Sequence, residues 1–362
     1  MSQTDEKYML RCLQLAKKGE GSTKTNPMVG SVIVHNGIII GEGYHRKIGE
    51  PHAEVDAINS VTDNSLLAQS TMYVSLEPCS HYGKTPPCAA FIVSNGIRRV
   101  VVAVRDPDPR VSGRGIQMLR DAGLDVTEGV LENEAKYLNR IFFTNKRESR
   151  PYIILKWAQT RDGFIDTDRI DNSAPALKLS NSITQSVVHK LRANTMGIMV
   201  GTNTALKDNP TLNTRKWFGD NPFRIVIDRK GKLPANSNLF NNEAKTIVFT
   251  ELNNYPVIQN VKSICINFND DVNRQVLEYI YKLNIGSVLI EGGNYLITSF
   301  VEKGLWDEAF VEISDDKIGC GISAPLINGD VINAKKYIDS LHFHIKRGFN
   351  RKFKLNTMLS MV

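Results

Sequence analysis

Strand-like and helix-like hydrophobic patterns alternate along the N-terminal part of this 362-residue chain. Helical spacing in residues 5–18 is followed by VGSVIVHNGIIIGEGYH, where two strand patterns meet at a His-Asn-Gly turn. Helical patterns follow at 86–96, 115–123 and 132–146, separated by strand patterns at 71–76, 98–104 and 124–130. This alternation predicts a layered α/β domain over residues 1–146.

The same kind of pattern restarts after residue 150. Apolar runs such as YIILKWA, MGIMVG, FRIVID, KTIVFT and SVLIEGG indicate buried strands, and residues 182–193 and 271–283 have helical spacing. The polar segment TNKRESRP at 144–151 is the predicted linker. A second α/β domain is therefore expected over residues 151–362.

Composition excludes several classes of protein. The N-terminus has acidic residues where a signal peptide needs basic ones, and no apolar run approaches the ~18 residues of a membrane span. We therefore expect a cytoplasmic protein without a membrane partner. Its net charge of +7 is scattered, which gives little support to nucleic-acid binding. Five cysteines do not make a disulfide framework, and Cys12 and Cys265 are expected in the core.

Four residues at the predicted element ends have the chemistry of a zinc site. His52 and Glu54 lie at the start of a helical pattern in EPHAEVDAIN, and Cys79 and Cys88 enclose the segment EPCSHYGKTPPC. One imidazole and two thiolates supply three ligands to a tetrahedral zinc ion and leave a fourth position for water. A carboxylate two residues from the histidine can transfer protons there. The usual zinc deaminase pattern has two residues between its cysteines, whereas this chain has eight.

The segments TNPMVGSVIV, GEGYH, PHAEVDAI and EPCSHYGKTPPC resemble the bifunctional pyrimidine deaminase/reductases of riboflavin biosynthesis, in which the long insert is usual. The resemblance implies an N-terminal cytidine-deaminase-like α/β/α domain that binds one Zn²⁺ per chain. His52, Cys79 and Cys88 would be the ligands and Glu54 the proton shuttle. The residues implied in binding the ribosylated pyrimidine phosphate are Asn26, His45, His81 and Lys84.

Two later segments, VGTNTALKDNPTLNTR and LIEGGNYLITSF, are similar to the reductase half of the same family. The resemblance implies a C-terminal dihydrofolate-reductase-like α/β domain that uses NADPH. The residues implied in cofactor binding are Ala158, Thr204, Asp208, Gly293, Asn294, Tyr295, Leu296, Ile297, Thr298 and Ser299. The residues implied in substrate binding are Arg192, Leu212, Arg215 and Glu291.

The chain departs from the family pattern in one loop. Ala176 and Lys178 stand where the family commonly has Ser and Trp. This loop raises the alternative that the second half is a binding or oligomerisation module without catalysis. A nucleic-acid-editing zinc deaminase is a second alternative, although the cysteine spacing argues against it. The family resemblance favours a small phosphorylated substrate, no nucleic-acid partner, and self-association of the chain.

Overall fold

The polypeptide separates after Ser149 into two units, Met1–Ser149 and Arg150–Val362, each with its own hydrophobic core. The computed structural model describes residues 2–81, 86–109, 111–169 and 173–348. Within these ranges, no helix combines the length and the apolar character that a membrane crossing needs.

The first unit is built around a five-stranded sheet of order β2-β1-β3-β4-β5. Strand β1 is antiparallel to β2 and β3, whereas β3, β4 and β5 are parallel. The elements are α1 (Gln3–Lys17), β1 (Gly30–His35), β2 (Ile38–Tyr44), α2 (Ala53–Asn59), β3 (Thr71–Val74), α3 (Cys88–Ser94), β4 (Arg99–Val102), α4 (Arg114–Asp121), β5 (Asp125–Glu128), α5 (Glu132–Leu138) and α6 (Arg140–Glu148).

The predicted hairpin is confirmed, and it determines where α2 lies. Asn36 and Gly37 both have positive φ angles, 48° and 80°, as a tight turn between β1 and β2 requires. Helix α2 packs closely on β2: a Cβ atom at Gly43 would lie only 2.3 Å from the main-chain nitrogen of Ala57. The absence of a side chain at Gly43 therefore lets α2 approach the sheet.

The second unit has a nine-stranded sheet of order β11-β10-β9-β8-β12-β6-β13-β16-β15 and a small pair, β14-β7. The strands from β11 to β13 in this order are parallel, and the last two pairings are antiparallel. The elements are β6 (Tyr152–Gln159), β7 (Phe164–Asp166), α7 (Ser182–Ala193), β8 (Gly197–Gly201), α8 (Thr202–Asp208), β9 (Phe223–Ile227), β10 (Thr246–Thr250), β11 (Val261–Cys265), α9 (Val272–Lys282), β12 (Ser287–Glu291), α10 (Asn294–Glu302), β13 (Glu308–Ser314), β14 (Ile322–Ser323), β15 (Asp330–Tyr337) and β16 (Ser340–Lys346).

The structure differs from the sequence predictions at three places. The single helix predicted over 132–146 is two helices, because Asn139 leaves the helical conformation and its side chain hydrogen-bonds to both main-chain polar groups of Met28. Helix α6 extends through Glu148 into the predicted linker. Cys265 is exposed because β11 is an edge strand, whereas Cys12 is buried as predicted.

Candidate functional site

Three elements of the first unit bring the predicted zinc ligands together. His52 is the N-cap residue of α2, Cys79 follows β3, and Cys88 is the first residue of α3. The Cys88 main-chain N–H donates to Cys79 Sγ at 3.3 Å, so the start of α3 holds the first cysteine. The eight residues between the two cysteines therefore still allow both sulfur atoms to reach one point.

The distances between the donor atoms fit one zinc ion. His52 Nδ1 lies 3.2 Å from Cys88 Sγ and 3.7 Å from Cys79 Sγ, and all three donor atoms lie within 4.8 Å of one another. Tetrahedral zinc with ordinary bond lengths separates its nitrogen and sulfur ligands by about 3.5 Å. Among the residues that the structure describes, this is the only such group of three or more His, Cys, Asp or Glu side chains.

Glu54 lies in the first turn of α2, two residues after His52, and is buried. Burial raises the pKa of its carboxyl group to about 7, although the neighbouring His52 opposes this shift. A carboxyl group with a pKa near neutrality can both accept and return a proton.

The two thiols and the imidazole interact directly. The hydrogen bond between the sulfur atoms lowers the pKa of Cys79 to about 4, and it raises the pKa of Cys88, which burial raises further. The hydrogen bond to Cys79 raises the pKa of His52, and this effect outweighs the partial desolvation of the ring. Cys79 is therefore the more readily ionised thiol, and thiolate is the form that binds zinc.

Two of the predicted substrate residues adjoin the metal ligands. The His45 and His52 rings meet edge to face with centroids 5.7 Å apart, and Asn26 Nδ2 lies 3.2 Å from His45 Nε2. His45 Nδ1 lies 3.1 Å from the Pro51 carbonyl oxygen, and burial lowers the pKa of its imidazole. His81 is exposed two residues after Cys79. Lys84 lies outside the described residues.

In the second unit, the predicted substrate residues form a linked group. Arg192 of α7 and Glu291 at the end of β12 form a two-point ion pair with distances of 2.9 and 2.6 Å. A third guanidinium nitrogen of Arg192 donates to the carbonyl of Asn213. Arg215 is exposed and contacts the Asn213 side chain, and Leu212 is buried with a strained φ of 50°.

The predicted cofactor residues lie on β6, in α8, and from the N-cap of α10 past its middle. The Gly293 N–H donates to Thr204 Oγ1 at 3.1 Å and thereby joins α10 to α8. Ala158 lies on β6 beside β13. Asp208 is ion-paired with Arg169 at 2.5 Å.

The residues of α10 do not all point the same way. Asn294 and Thr298 hydrogen-bond to each other, Tyr295 is exposed, and Leu296 is buried. Ile297 is in the core, and Ser299 contacts Asn273 of α9. The Ile297 N–H donates to the Gly293 carbonyl oxygen within the helix, and the Ser299 hydroxyl donates to the Leu296 carbonyl oxygen.

Sequence reasoning missed three ionisable neighbours of these groups. Burial raises the pKa of Glu291, but Arg192 and, to a smaller extent, Lys156 of β6 lower it. The pKa of Glu291 therefore lies below its ordinary value. His189, one helical turn before Arg192, is buried, and burial together with Arg192 lowers its pKa to about 4. Arg169 joins Asp166 to Asp208. Only Lys156, two residues before Ala158 on β6, had a sequence signal, in the segment KWA.

Comparison with protein families matches both halves of the chain. Residues 2–104 match the cytidine and deoxycytidylate deaminase zinc-binding region, and residues 151–343 match the RibD C-terminal domain. The chain is 41% identical to the riboflavin biosynthesis protein RibD of Aquifex aeolicus over 88% of this chain and 89% of the relative. It is 37% identical to RibD of Actinobacillus pleuropneumoniae over 91% and 88% of the two chains.

Solved structures agree over nearly the whole length. A diaminohydroxyphosphoribosylaminopyrimidine deaminase/5-amino-6-(5-phosphoribosylamino)uracil reductase from Thermotoga maritima is 36% identical, with a TM-score of 0.87 over 95% of this chain and 99% of that one. RibD of Acinetobacter baumannii is 31% identical, with a TM-score of 0.84 over 96% and 99%. With both domain types in the same order and these identities along most of its length, the chain belongs to the RibD family of riboflavin biosynthesis proteins.

Proposed function

We propose that the chain is a bifunctional enzyme of riboflavin biosynthesis. Its first unit deaminates 2,5-diamino-6-ribosylamino-4(3H)-pyrimidinone 5′-phosphate by hydrolysis. Its second unit then reduces the ribosyl group of the product to ribityl with NADPH. The observation that carries the proposal is the convergence of His52, Cys79 and Cys88 beside buried Glu54, in a chain whose second half belongs to the RibD reductases.

The chemistry of the donor set supports a choice of zinc ligands and of the proton carrier. His52, Cys79 and Cys88 would hold the ion through one nitrogen and two sulfur atoms, a chemistry that suits zinc. Zinc supplies the Lewis acid that makes water a nucleophile near neutral pH. Glu54 accepts the proton of the attacking water and returns one to the amino group that leaves as ammonia. Its pKa of about 7 suits both transfers.

Asn26 and His45 would orient the pyrimidine. Asn26 contacts His45, and the His45 ring packs edge to face against the His52 ring, so a pyrimidine bound there would be adjacent to the proposed zinc ligands. Burial lowers the pKa of His45, and a neutral imidazole can both donate and accept hydrogen bonds. His81 and Lys84 complete the proposed substrate site, with Lys84 as a phosphate partner.

The second unit would hold NADPH at the ends of β8 and β12. The first turn of α10 has main-chain N–H groups without helical partners, and such groups bind phosphate. Thr204 orders this turn through its bond to Gly293, while Ala158 and Asp208 border the cofactor. NADPH supplies the hydride, so the protein contributes chiefly the relative position of the reactants.

The reductase substrate would lie at the Arg192–Glu291 pair. Arg192 is committed to Glu291 and Asn213, which leaves the exposed Arg215 as the arginine available to a phosphate group. A planar guanidinium group matches phosphate oxygens in two-point contacts. Arg192 and Glu291 would instead form a fixed wall of the site.

Glu54→Gln tests the deaminase half directly. The variant should retain zinc, since Glu54 is not among the proposed ligands, and should lose at least about a hundredfold in ammonia release because it cannot carry the proton. Ammonia and bound zinc are measured on the same preparation. NADPH oxidation with deaminated substrate is the matched control and should be unchanged. Ammonia release at the wild-type rate would contradict the role of Glu54.

The reductase assay also decides the alternative of a non-catalytic second unit. Substrate-dependent loss of NADPH absorbance supports the reductase, whereas its absence with deaminated substrate would favour a binding module.

We further propose domain limits at 1–146 and 151–362, a cytoplasmic location and self-association. Limited proteolysis, cell fractionation and light scattering test these three points.

A further inference from the structure

The first unit contains a buried carboxylate that the proposed chemistry does not use. Glu77 lies two residues before Cys79 and is 4% exposed. Its Oε2 accepts hydrogen bonds from the main-chain N–H groups of Asp106 at 3.0 Å and Gly113 at 2.9 Å. Its Oε1 accepts from Gly115 at 3.0 Å and Ile116 at 3.4 Å. One side chain thus satisfies four main-chain donors.

These four donors belong to the segment that joins β4 to α4. The segment begins at Asp106, turns at Gly113 with a φ of 80°, and enters the first turn of α4 at Gly115 and Ile116. A carboxylate suits these four N–H donors, because both of its oxygens accept hydrogen bonds and hydrogen bonds to a charged acceptor are strong. Glutamine would turn an NH₂ group toward two of the donors.

The same contacts restrain the chain that carries Cys79. The Glu77 N–H donates to the Val104 carbonyl oxygen at 2.9 Å. The next residue, Pro78, packs so closely on α4 that a Cβ atom at Gly115 would lie 1.9 Å from its carbonyl oxygen. Glu77 and Pro78 are therefore held by their main chain, by the Glu77 carboxylate and by packing. Cys79 follows directly.

We propose that Glu77 is a positioning residue for the zinc centre. Its carboxylate fixes the end of β3 against α4 and so determines where the Cys79 thiolate meets the ion. This inference rests on the proposed function, because it concerns the same ligand set. Residues that orient metal ligands typically contribute ten- to hundredfold to metal affinity. Glu77 acts through the main chain, so the low end of that range is expected.

The test compares wild type with Glu77→Gln and with Asp5→Asn as the matched control. Asp5 is also a buried carboxylate of the first unit, but its partners are Tyr73 and Arg99. Zinc release to a chromogenic chelator should be about tenfold faster in Glu77→Gln than in wild type. Asp5→Asn should unfold at a lower temperature and release zinc at the wild-type rate.

Cobalt substitution gives a second measurement that a purely structural role would not change. The absorption bands of cobalt-loaded Glu77→Gln should shift, since thiolate geometry determines them, and those of Asp5→Asn should not. If Glu77→Gln does not fold, Glu77→Asp keeps the charge on a shorter side chain and takes its place in both assays.

The outcomes separate this inference from the proposed function. Wild-type protein that binds no zinc would overturn both. If wild type binds zinc and the Glu77 variant has the same release rate and cobalt spectrum, the role of Glu77 is overturned. The proposed deaminase function then stands. Faster release in Asp5→Asn as well would also overturn it, because general destabilisation would then explain the effect.

Discussion

The three proposed zinc ligands differ in burial and therefore in how they respond to substitution. His52 is exposed, Cys79 is partly buried, and Cys88 is buried at the start of α3. A substitution at buried Cys88 changes one of the three proposed zinc-binding atoms and leaves the protein surface unchanged. Its effect on zinc therefore reports on coordination.

Cys88→Ser should lower the zinc content of the purified protein, because a hydroxyl group replaces a thiolate ligand. Metal analysis by atomic absorption checks this result. Cys265→Ser is the control, since Cys265 is an exposed thiol on β11 of the other unit. Equal zinc in wild type and Cys88→Ser would remove Cys88 from the ligand set.

Arg215→Ala should raise the KM of the reductase for its phosphorylated substrate by about ten- to hundredfold, the value of a lost charged hydrogen bond. Steady-state NADPH oxidation measures this change. The KM for dephosphorylated substrate should stay the same. Arg229→Ala, which removes another exposed arginine of the same unit, is the control. An equal rise for both substrates would contradict phosphate recognition by Arg215.

Among the elements, α1 is joined to the sheet by its buried apolar side chains and also by polar contacts of Asp5. Asp5 of α1 accepts hydrogen bonds from Tyr73 of β3 and Arg99 of β4. Burial alone would raise the pKa of Asp5, but these hydrogen bonds outweigh it and hold the pKa below its ordinary value of 3.8. The unfolded chain therefore binds a proton more readily than the folded one.

This difference makes a prediction about pH. The contribution of Asp5 to stability is fully present above pH 3.8 and is lost as the pH falls through the lower folded-state pKa. At neutral pH, Asp5→Asn should reduce the free energy of unfolding by about 1–3 kcal/mol, and the deficit should shrink in acid. Urea denaturation at several pH values measures it.

Asp121→Asn, at an exposed position of α4, should change the free energy of unfolding by less than about 0.5 kcal/mol and serves as the control. A deficit for Asp5→Asn that stays constant down to strongly acidic pH would show that the carboxyl charge is not responsible.

The elements also show where local patterns were sufficient. The hairpin at Asn36 and Gly37, α7 over 182–193 and α9 within 271–283 follow from turn residues and helical spacing. The break at Asn139 could not be predicted from spacing, because its cause is a pair of hydrogen bonds to Met28, which is 111 residues away in sequence.

For the whole molecule, the two proposed reactions depend on different residues in different units. The proposed zinc ligands lie before residue 89, and the proposed reductase residues all lie after residue 157. Exhaustive chelation should therefore stop ammonia release while NADPH oxidation with deaminated substrate continues. Both rates are measured on one chelated sample, and zinc is then restored as the control. Undiminished ammonia release after chelation would contradict zinc-dependent deamination.

The sequence by itself determined the order of the two domain types, the donor set and the family, because these depend on residue types at short spacings. Only the tertiary structure decided that Arg192 is ion-paired with Glu291, that Glu77 accepts hydrogen bonds from the start of α4, and that Cys265 is exposed. The physical reason is range: hydrogen bonds, ion pairs and burial join residues that are distant in sequence, and hydrophobic periodicity carries no information about those partners.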